Sequence, residues 1–213
     1  MVQIQLNGHE ARLLGVLVEK ALTTPDQYPL SLNAATNGCN QKNNRWPVTD
    51  YTEAEVHVAT QGLVMKHLAG RVVAAGSRVD KYRHSAGETL GLDDAHLALL
   101  AELLMRGPQQ PGELRSRVDR MAPTPSLEAL QARLAKLIEK GYARRIAPLP
   151  GERAERYVQL LCPDAHPLDQ PGPLAHTPRA PSLDLEARVL ALENKVSDVS
   201  GKLEKLIQQL GAV

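Results

Sequence analysis

The chain has 213 residues, with 25 basic and 24 acidic side chains and a formal net charge of +1. A chain with so little net charge has no global field that recruits polyanions. Aromatic residues make up only 3% and Phe is absent, so the core must be built from Leu, Val, Ile and Ala. This composition favours small helical units.

The spacing of the cysteines and the lengths of the apolar segments indicate the cellular compartment and whether a metal or cofactor is expected. Cys39 and Cys162 have neither metal-ligand nor redox spacing, so we expect both to be small buried hydrophobes. Without a disulfide framework the chain suits a reducing compartment. No run approaches the roughly 20 apolar residues of a membrane span, and the first residues lack the features of a secretory signal. We therefore expect a cytoplasmic protein that needs no membrane, cofactor or metal.

An internal repeat organises the first three quarters of the chain. Residues 97–161 repeat the predicted order of residues 10–82: helix, proline-containing connection, helix, loop, amphipathic helix, glycine, and two short strands around a tight turn. This order is typical of a winged helix-turn-helix domain. The predicted fold class is therefore mainly α with small β wings, comprising two tandem winged helix-turn-helix domains and a C-terminal coiled-coil helix. The predicted boundaries are 1–86 for the first domain, 87–162 for the second, 163–181 for a Pro-rich linker and 182–213 for the coiled-coil helix.

The helix starts of the repeat carry capping signals. Asn7 with Glu10, and Thr52 with Glu55, have the spacing of a capping box and predict the first and third helices of the first copy. The corresponding helices of the second copy begin at Asp93 and Ser126.

Other signals mark the strands and the helix ends. An extended segment at 28–30 predicts a first short strand, because residues before a proline avoid the helical region. Residues 71–75 and 79–84 flank Gly76-Ser77 and predict a hairpin, the first wing. Gly70 and Gly141 are predicted to end the third helices of the two copies.

The C-terminal segment carries a heptad pattern. Its apolar residues alternate at intervals of four and three without a skip: Leu185, Val189, Leu192, Val196, Val199, Leu203, Leu206 and Leu210. An isolated helix of this length is marginal in water, so these residues are expected to find a partner. A homodimeric coiled coil is one prediction, and packing of the helix on its own domain is the alternative.

Residues 28–48, YPLSLNAATNGCNQKNNRWPV, are unusually polar. At about 100° per residue, four asparagines fall on one helical face: Asn33, Asn37, Asn40 and Asn44. Lys42, Arg45 and the single tryptophan, Trp46, follow or interleave with them. One interpretation is a recognition surface of amides, cations and an exposed aromatic ring. The other is that the later asparagines end the helix and shape a loop, with Trp46 covering a small core.

This polar segment also carries a family resemblance. From Tyr28 to Val48 the sequence resembles the pattern Y-P-L-[ST]-L-N-x-x-T-N-x-C-N-Q-K-x-N-R-x-P-V of the YceH-like family, bacterial proteins of unknown function. The resemblance extends less sharply to about residue 162. It implies two winged-helix domains in tandem and supplies no activity, substrate or catalytic residue.

Fold analogy and charge together leave three function classes. Winged helices most often bind DNA, with the third helix in the major groove and the wing along the backbone. The leading hypothesis is a DNA-binding protein, possibly a transcriptional regulator, acting as a dimer. Its candidate contacts are Lys42, Asn44, Arg45, Arg71, Arg78, Lys81 and Arg83. On alternating strand positions Lys81 and Arg83 are expected to share a face.

The alternative is a protein-interaction adaptor that does not bind DNA, which the nearly neutral surface and the heptad segment both favour. Glu53 and Glu55 begin the third helix of the first copy, where carboxylates would repel phosphates, although acidic residues are also common at helix starts because they complement the helix dipole. An enzyme is the least favoured class. The seven histidines are scattered, and neither a phosphate-binding loop nor a nucleophile elbow is present.

Overall fold

The helices and strands follow the order that the repeat predicts, with one additional short helix between the two copies. The computed structural model describes residues 4–73 and 80–168. The helices in these ranges are α1 (Gly8–Thr23), α2 (Leu32–Cys39), α3 (Glu53–Met65), α4 (Ala86–Leu90), α5 (Asp94–Arg106), α6 (Pro111–Val118) and α7 (Leu127–Glu139). The strands are β1 (Leu30–Ser31), β2 (Ala69–Val72), β3 (Lys81–His84), β4 (Ala143–Ile146) and β5 (Arg156–Gln159). The protein is thus mainly helical with small antiparallel sheets.

The predicted helix starts are confirmed. Asn7 and Glu10 exchange backbone-to-side-chain hydrogen bonds of 2.9 Å in both directions, so the capping box of α1 is complete. Thr52 and Glu55 form the same reciprocal pair at the start of α3. α5 and α7 begin after Asp93 and Ser126, whose side chains each accept a backbone N–H three residues on. Local side-chain chemistry therefore fixes where these helices begin.

The two strands of the predicted first hairpin are paired, although β2 spans Ala69–Val72 rather than 71–75 and the predicted turn at Gly76-Ser77 lies outside the described residues. β2 and β3 are antiparallel, with Val72 opposite Lys81 and Arg71 opposite Tyr82. β1 joins the other edge of β3 and gives the strand order β1-β3-β2. The strand predicted at 28–30 is therefore present, although it begins at Leu30.

The second half repeats this arrangement in reduced form. β4 and β5 pair antiparallel, and a single bridge between Gln109 and Tyr157 takes the place that β1 has in the first sheet. α7 begins at residue 127 and α3 at residue 53, a spacing of 74, and β4 and β2 begin with the same spacing (143 and 69). The repeat inferred from sequence thus has a counterpart in the order and pairing of the elements.

The prediction that Gly70 ends the third helix of the first half was wrong. Gly70 lies within β2, whereas the residue after the end of α3 that adopts the left-handed conformation is His67, with φ 58°. Gly141, with φ 76°, does follow the end of α7. His67 is therefore the counterpart of Gly141. A search for glycine misses this helix end because His67, a residue that tolerates the left-handed conformation better than most, occupies the position.

The core is centred on the contact between α1 and α5. Every residue from Glu10 to Glu19 is buried, and so is every residue from Leu97 to Arg106. Gly15 lets the two helices approach closely, because a Cβ atom there would lie 2.7 Å from the Cγ of Met105. Apolar side chains of both halves belong to one continuous core. The domain boundary at residue 86 stays a prediction.

Within the described ranges, no helix is long and apolar enough to cross a membrane. The linker from residue 169 onward and the heptad positions 185–210 lie outside the described residues.

The close approach at Gly15 leads to a stability prediction. Gly15→Val should lower the free energy of unfolding by about 1–3 kcal/mol, because the branched side chain overpacks the α1–α5 contact. The same substitution at Gly112, a helical glycine with open space around it, is the matched control and should cost less. Urea unfolding of both variants measures the difference. Equal losses would show that the α1–α5 contact is not tightly packed.

Candidate functional site

The asparagines of the polar segment are used largely for local structure. Asn40 ends α2, and its side chain both accepts from the N–H of Tyr51 and donates to the carbonyl of Tyr51, each at 2.8 Å. Asn37 donates to Asn33, which donates to Glu53 at the start of α3. Asn33 and Asn37 are exposed, but their amides form a chain that joins α2 to α3.

Arg45 is buried, contrary to its predicted place on a recognition surface. Its side chain is 0% exposed, and its guanidinium forms an ion pair and hydrogen bond with Glu19 of α1. It also donates to the carbonyl of Gly38 at 3.0 Å and to Gln41 at 2.9 Å. A guanidinium enclosed in this way is not available to a phosphate at the surface. The motif places it there to fasten the loop after α2 onto α1.

The loop from Asn44 to Pro47 connects the two halves. Asn44 adopts the left-handed conformation, with φ 61°, as suits a residue that shapes a loop, and its side-chain oxygen accepts a hydrogen bond from Arg106 of α5. The N–H of Trp46 donates to the carbonyl of Met105 at 2.9 Å. Arg12 of α1 donates to the carbonyl of Pro47 at 2.6 Å. This loop therefore contacts both central helices.

Two buried carboxylates in this region differ in their electrostatics. Burial alone would raise the pKa of Glu19, but Arg45 and Arg120 outweigh it, so the pKa of Glu19 is lowered. Burial dominates at Glu102 and raises its pKa, although Arg106 lies 3.1 Å from one carboxylate oxygen. The arginines therefore outweigh burial at Glu19, whereas at Glu102 they do not offset the effect of burial on the pKa.

His166, which the sequence places in the linker, is 4% exposed. Its ring stacks on Trp46 with a centroid distance of 5.9 Å and an interplanar angle of 16°. It also packs on Gly107, where a Cβ atom would lie 2.6 Å from the imidazole. Burial lowers the pKa of His166 to about 4, and the nearby Arg12 contributes in the same direction. Trp46 is therefore half-buried beneath this segment rather than presented to a ligand.

The cations predicted for the first wing lie on two faces of the sheet. Lys81 and Arg83 are exposed on the same face of β3, as predicted, while Tyr82 between them is buried. Arg71 pairs with Tyr82 across the sheet and so belongs to the opposite face, because directly paired residues of antiparallel strands share a side. Its Nε lies 2.9 Å from a carboxylate oxygen of Asp80, which reduces its local charge. Lys42 is exposed, and Arg78 lies outside the described residues.

One exposed surface was not anticipated from the sequence. The outward side of α3 carries a row of residues at intervals of four, three and four, which we call the α3 stripe: Ala54, Val58, Gln61 and Met65. Val58 is 64% exposed and Met65 is 77% exposed. At about 100° per residue the row spans about 60°. It lies opposite Val56, Ala59 and Leu63, which are buried.

The ends and flank of α3 define the chemistry around this stripe. Glu53 and Glu55 lie at the start of the helix, and Lys66 follows its end. Beside the stripe is a mainly apolar recess of about 290 Å³, lined by Asn7, His9, Ala54, Glu55, Val58 and Ala59. The surface therefore combines an apolar centre with an acidic first turn.

No metal or thiol chemistry is evident in the described part of the chain. Its residues contain no group of three His, Cys, Asp or Glu side chains that could hold a metal ion. Cys39 and Cys162 are both buried and free, as predicted, and burial raises the pKa of the Cys39 thiol to about 12. Such a thiol is a poor nucleophile.

The family model and the similar proteins found by comparison agree with each other. Residues 6–155 match the family model described as a protein of unknown function, DUF480. The chain is 41% identical over 217 aligned positions to the UPF0502 proteins YceH of Salmonella newport, Salmonella heidelberg and Salmonella agona. These alignments cover 99% of this chain and 100% of each relative. The family resemblance seen in residues 28–48 is thereby confirmed.

Arg45 is buried and Lys42 is exposed, and this difference leads to a stability prediction. Arg45→Met should lower the free energy of unfolding by about 3 kcal/mol, because it removes one partner of a buried ion pair and leaves Glu19 with Arg120 alone. Lys42→Met, three positions earlier on the surface, should change it by less than about 0.5 kcal/mol. Chemical unfolding of the two variants checks this. Similar effects would contradict the structural role of Arg45.

The buried imidazole leads to a pH prediction. An unfolded histidine has a pKa of about 6.5, whereas that of His166 is about 4 in the fold. The unfolded state therefore binds more protons, and stability from neutral His166 is complete above about pH 6.5 and is lost as the pH falls toward 4. In His166→Gln the free energy of unfolding should fall less over this range than in the parent chain. His57→Gln, at an exposed position, is the control. Parallel pH profiles of the parent and His166→Gln would refute this role.

Proposed function

Since this chain belongs to the DUF480 family, whose description assigns no activity, we propose a function from its geometry: a protein-interaction adaptor built on two tandem winged-helix domains. It is a binding protein rather than an enzyme. The heptad pattern at residues 185–210 supports a homodimer.

The element order supports the winged-helix part of the proposal. In the first half, α1, β1, α2, α3 and the β2–β3 hairpin follow one another, and β1 pairs with β3. In the second half, α5, the Gln109 bridge, α6, α7 and the β4–β5 hairpin repeat that order. In winged-helix proteins that bind DNA, the helix in the position of α3 enters the major groove.

The α3 stripe is the observation that carries the adaptor assignment. The helix that would enter the groove presents Val58 and Met65 outward and begins with two carboxylates. Binding to DNA relies on Lys and Arg side chains that neutralise phosphates, and no residue of α3 is a Lys or Arg. Exposed apolar side chains on a helix face, with charge at its margin, are instead the composition of a helix-to-protein contact.

DNA binding remains the second candidate, and a specific observation favours it. Lys81 and Arg83 project from one exposed face of β3, where a wing would lie along a phosphate backbone. In contrast, Arg45 is buried against Glu19 and Arg71 is paired with Asp80, so fewer basic side chains are available to phosphates than the sequence predicts. The adaptor proposal also explains why α3 exposes apolar side chains, which DNA binding does not.

A photo-crosslinking experiment on the full chain distinguishes the two functions. A benzophenone amino acid placed at Val58 should form adducts with protein in cells, and these should persist after nuclease digestion. The same label at Ala132, the position of α7 that lies 74 residues later, is the matched control and should form few adducts.

A DNA titration completes this test. Anisotropy titration with duplex DNA at two salt concentrations should show no salt-dependent binding, because α3 contributes no phosphate contacts. Adducts to DNA at position 58, or binding with a steep salt slope that is lost in Lys81→Ala/Arg83→Ala, would favour DNA binding over the adaptor.

A further inference from the structure

The guanidinium of Arg12, on α1, is buried in an environment that does not balance its charge. Arg12 is 3% exposed, and its Nη2 donates to the carbonyl of Pro47 at 2.6 Å. Its Nη1 is buried and has no hydrogen-bond partner among the described residues. Burial lowers the pKa of Arg12, and the neighbouring Arg45 lowers it further. The groups that act in the opposite direction are the side chains of Tyr51 and Cys39, neither of which is a carboxylate.

Other buried arginines of the described ranges differ from Arg12 in this respect. Each of three forms an ion pair with a glutamate: Arg45 with Glu19, Arg106 with Glu102, and Arg117 with Glu113. Glu19 lies two turns beyond Arg12 on α1, but it already pairs with both Arg45 and Arg120. A buried charge that lacks a partner is strongly destabilising. The environment of Arg12 therefore suits an anion.

A second unpartnered polar atom lies near Arg12. His166 is 4% exposed, and its Nδ1 is buried without a hydrogen-bond partner among the described residues. The charge of Arg12 acts on this imidazole and lowers its pKa. Trp46, on which the ring stacks, and Gly107, on which it packs, hold the ring in place. Two buried nitrogen atoms from distant parts of the sequence thus lie in one interior region.

We propose that a small monovalent anion, of the size of chloride, binds between the guanidinium of Arg12 and the imidazole of His166. Arg12 donates through Nη1, and His166 donates through Nδ1 when that nitrogen carries the ring proton. A hydrogen bond between charged groups is roughly twice as strong as one between neutral groups. Because both donors are buried, the site suits a halide rather than a nucleotide or another large anion.

The anion connects segments that are far apart in the sequence. Arg12 belongs to α1, and Pro47, which accepts its hydrogen bond, belongs to the loop after α2. His166 belongs to the segment after β5, and the carbonyl of Leu161 in that segment accepts from the N–H of Leu6 at 2.7 Å. Binding therefore stabilises the attachment of this segment to α1. Since a ligand that binds the folded state stabilises it by mass action, the stability of the chain should depend on chloride.

Urea unfolding of the full chain at constant ionic strength tests this site. Sodium chloride is replaced stepwise by sodium gluconate, whose anion is too large for a buried site. In the parent chain, a tenfold rise in chloride above its dissociation constant should increase the equilibrium constant for folding about tenfold. In Arg12→Met the equilibrium constant should not respond to this exchange. Lys42→Met, which removes an exposed cation, is the matched control and should respond as the parent chain does.

Two results of this titration would overturn the inference. One is a parent chain whose stability is the same in chloride and in gluconate. The other is a chloride response in Arg12→Met that equals that of Lys42→Met, because the response would then come from chloride elsewhere on the chain.

Crystals of the full chain grown in sodium bromide give a second measurement, which needs no variant to fold. Bromide takes the place of chloride and is located by its anomalous scattering. The expected result is a bromide ion in contact with Nη1 of Arg12 and Nδ1 of His166. A water molecule that bridges these two atoms, without anomalous signal, would overturn the inference. The adaptor proposal does not depend on either result, because it concerns the outward surface of α3.

Discussion

The packing of α1 against α5 is the contact on which the remaining structure depends. Both helices are buried along most of their length, and Gly15 allows them to approach where a side chain would collide with Met105. Each half of the chain builds its small sheet and its outer helix around one of these two helices. The orientation of α3 follows from this, because α3 packs on α1 through its inner face and Lys66 of its C-cap contacts Glu10.

The polar segment that identifies the family serves this same contact. Burying a cation such as Arg45 is costly unless it is paired, and Glu19 with neighbouring carbonyl and amide oxygens meets that requirement. Asn40 satisfies both backbone groups of Tyr51, and Asn44 adopts a conformation that most side chains avoid. An irregular loop between two helices has backbone N–H and C=O groups that need hydrogen-bond partners. This need explains why the segment contains so many asparagine amides.

Much of the fold was accessible from the sequence, because its signals are local. Capping residues fix helix starts through hydrogen bonds three residues apart, and a hairpin is marked by its turn, so Asn7, Thr52 and the β2–β3 pairing could be predicted. The end of α3 could not be predicted in this way, since His67 occupies a left-handed position that glycine usually fills.

The functional surface was harder to predict, because side-chain exposure depends on tertiary contacts. Arginine is usually a surface residue. Arg45 is buried because it pairs with Glu19, which lies 26 positions earlier in the chain, and such a contact is visible only in the structure. The α3 stripe carries a signal in the sequence, a second apolar row opposite the first. Once one face of a helix has been assigned to the core, a second apolar face is easily overlooked.

The solvent exposure of Met65 tests most directly whether α3 is a protein contact surface in the intact molecule. In the single chain Met65 is 77% exposed, whereas Met105 and Met121 are buried and serve as internal references. Hydroxyl-radical footprinting of the full chain should find that Met65 is oxidised more slowly in cell lysate than in dilute purified protein, relative to the two references. Equal relative oxidation of Met65 in the two samples would show that its surface stays open to solvent and would contradict the assignment of α3 as a protein contact surface.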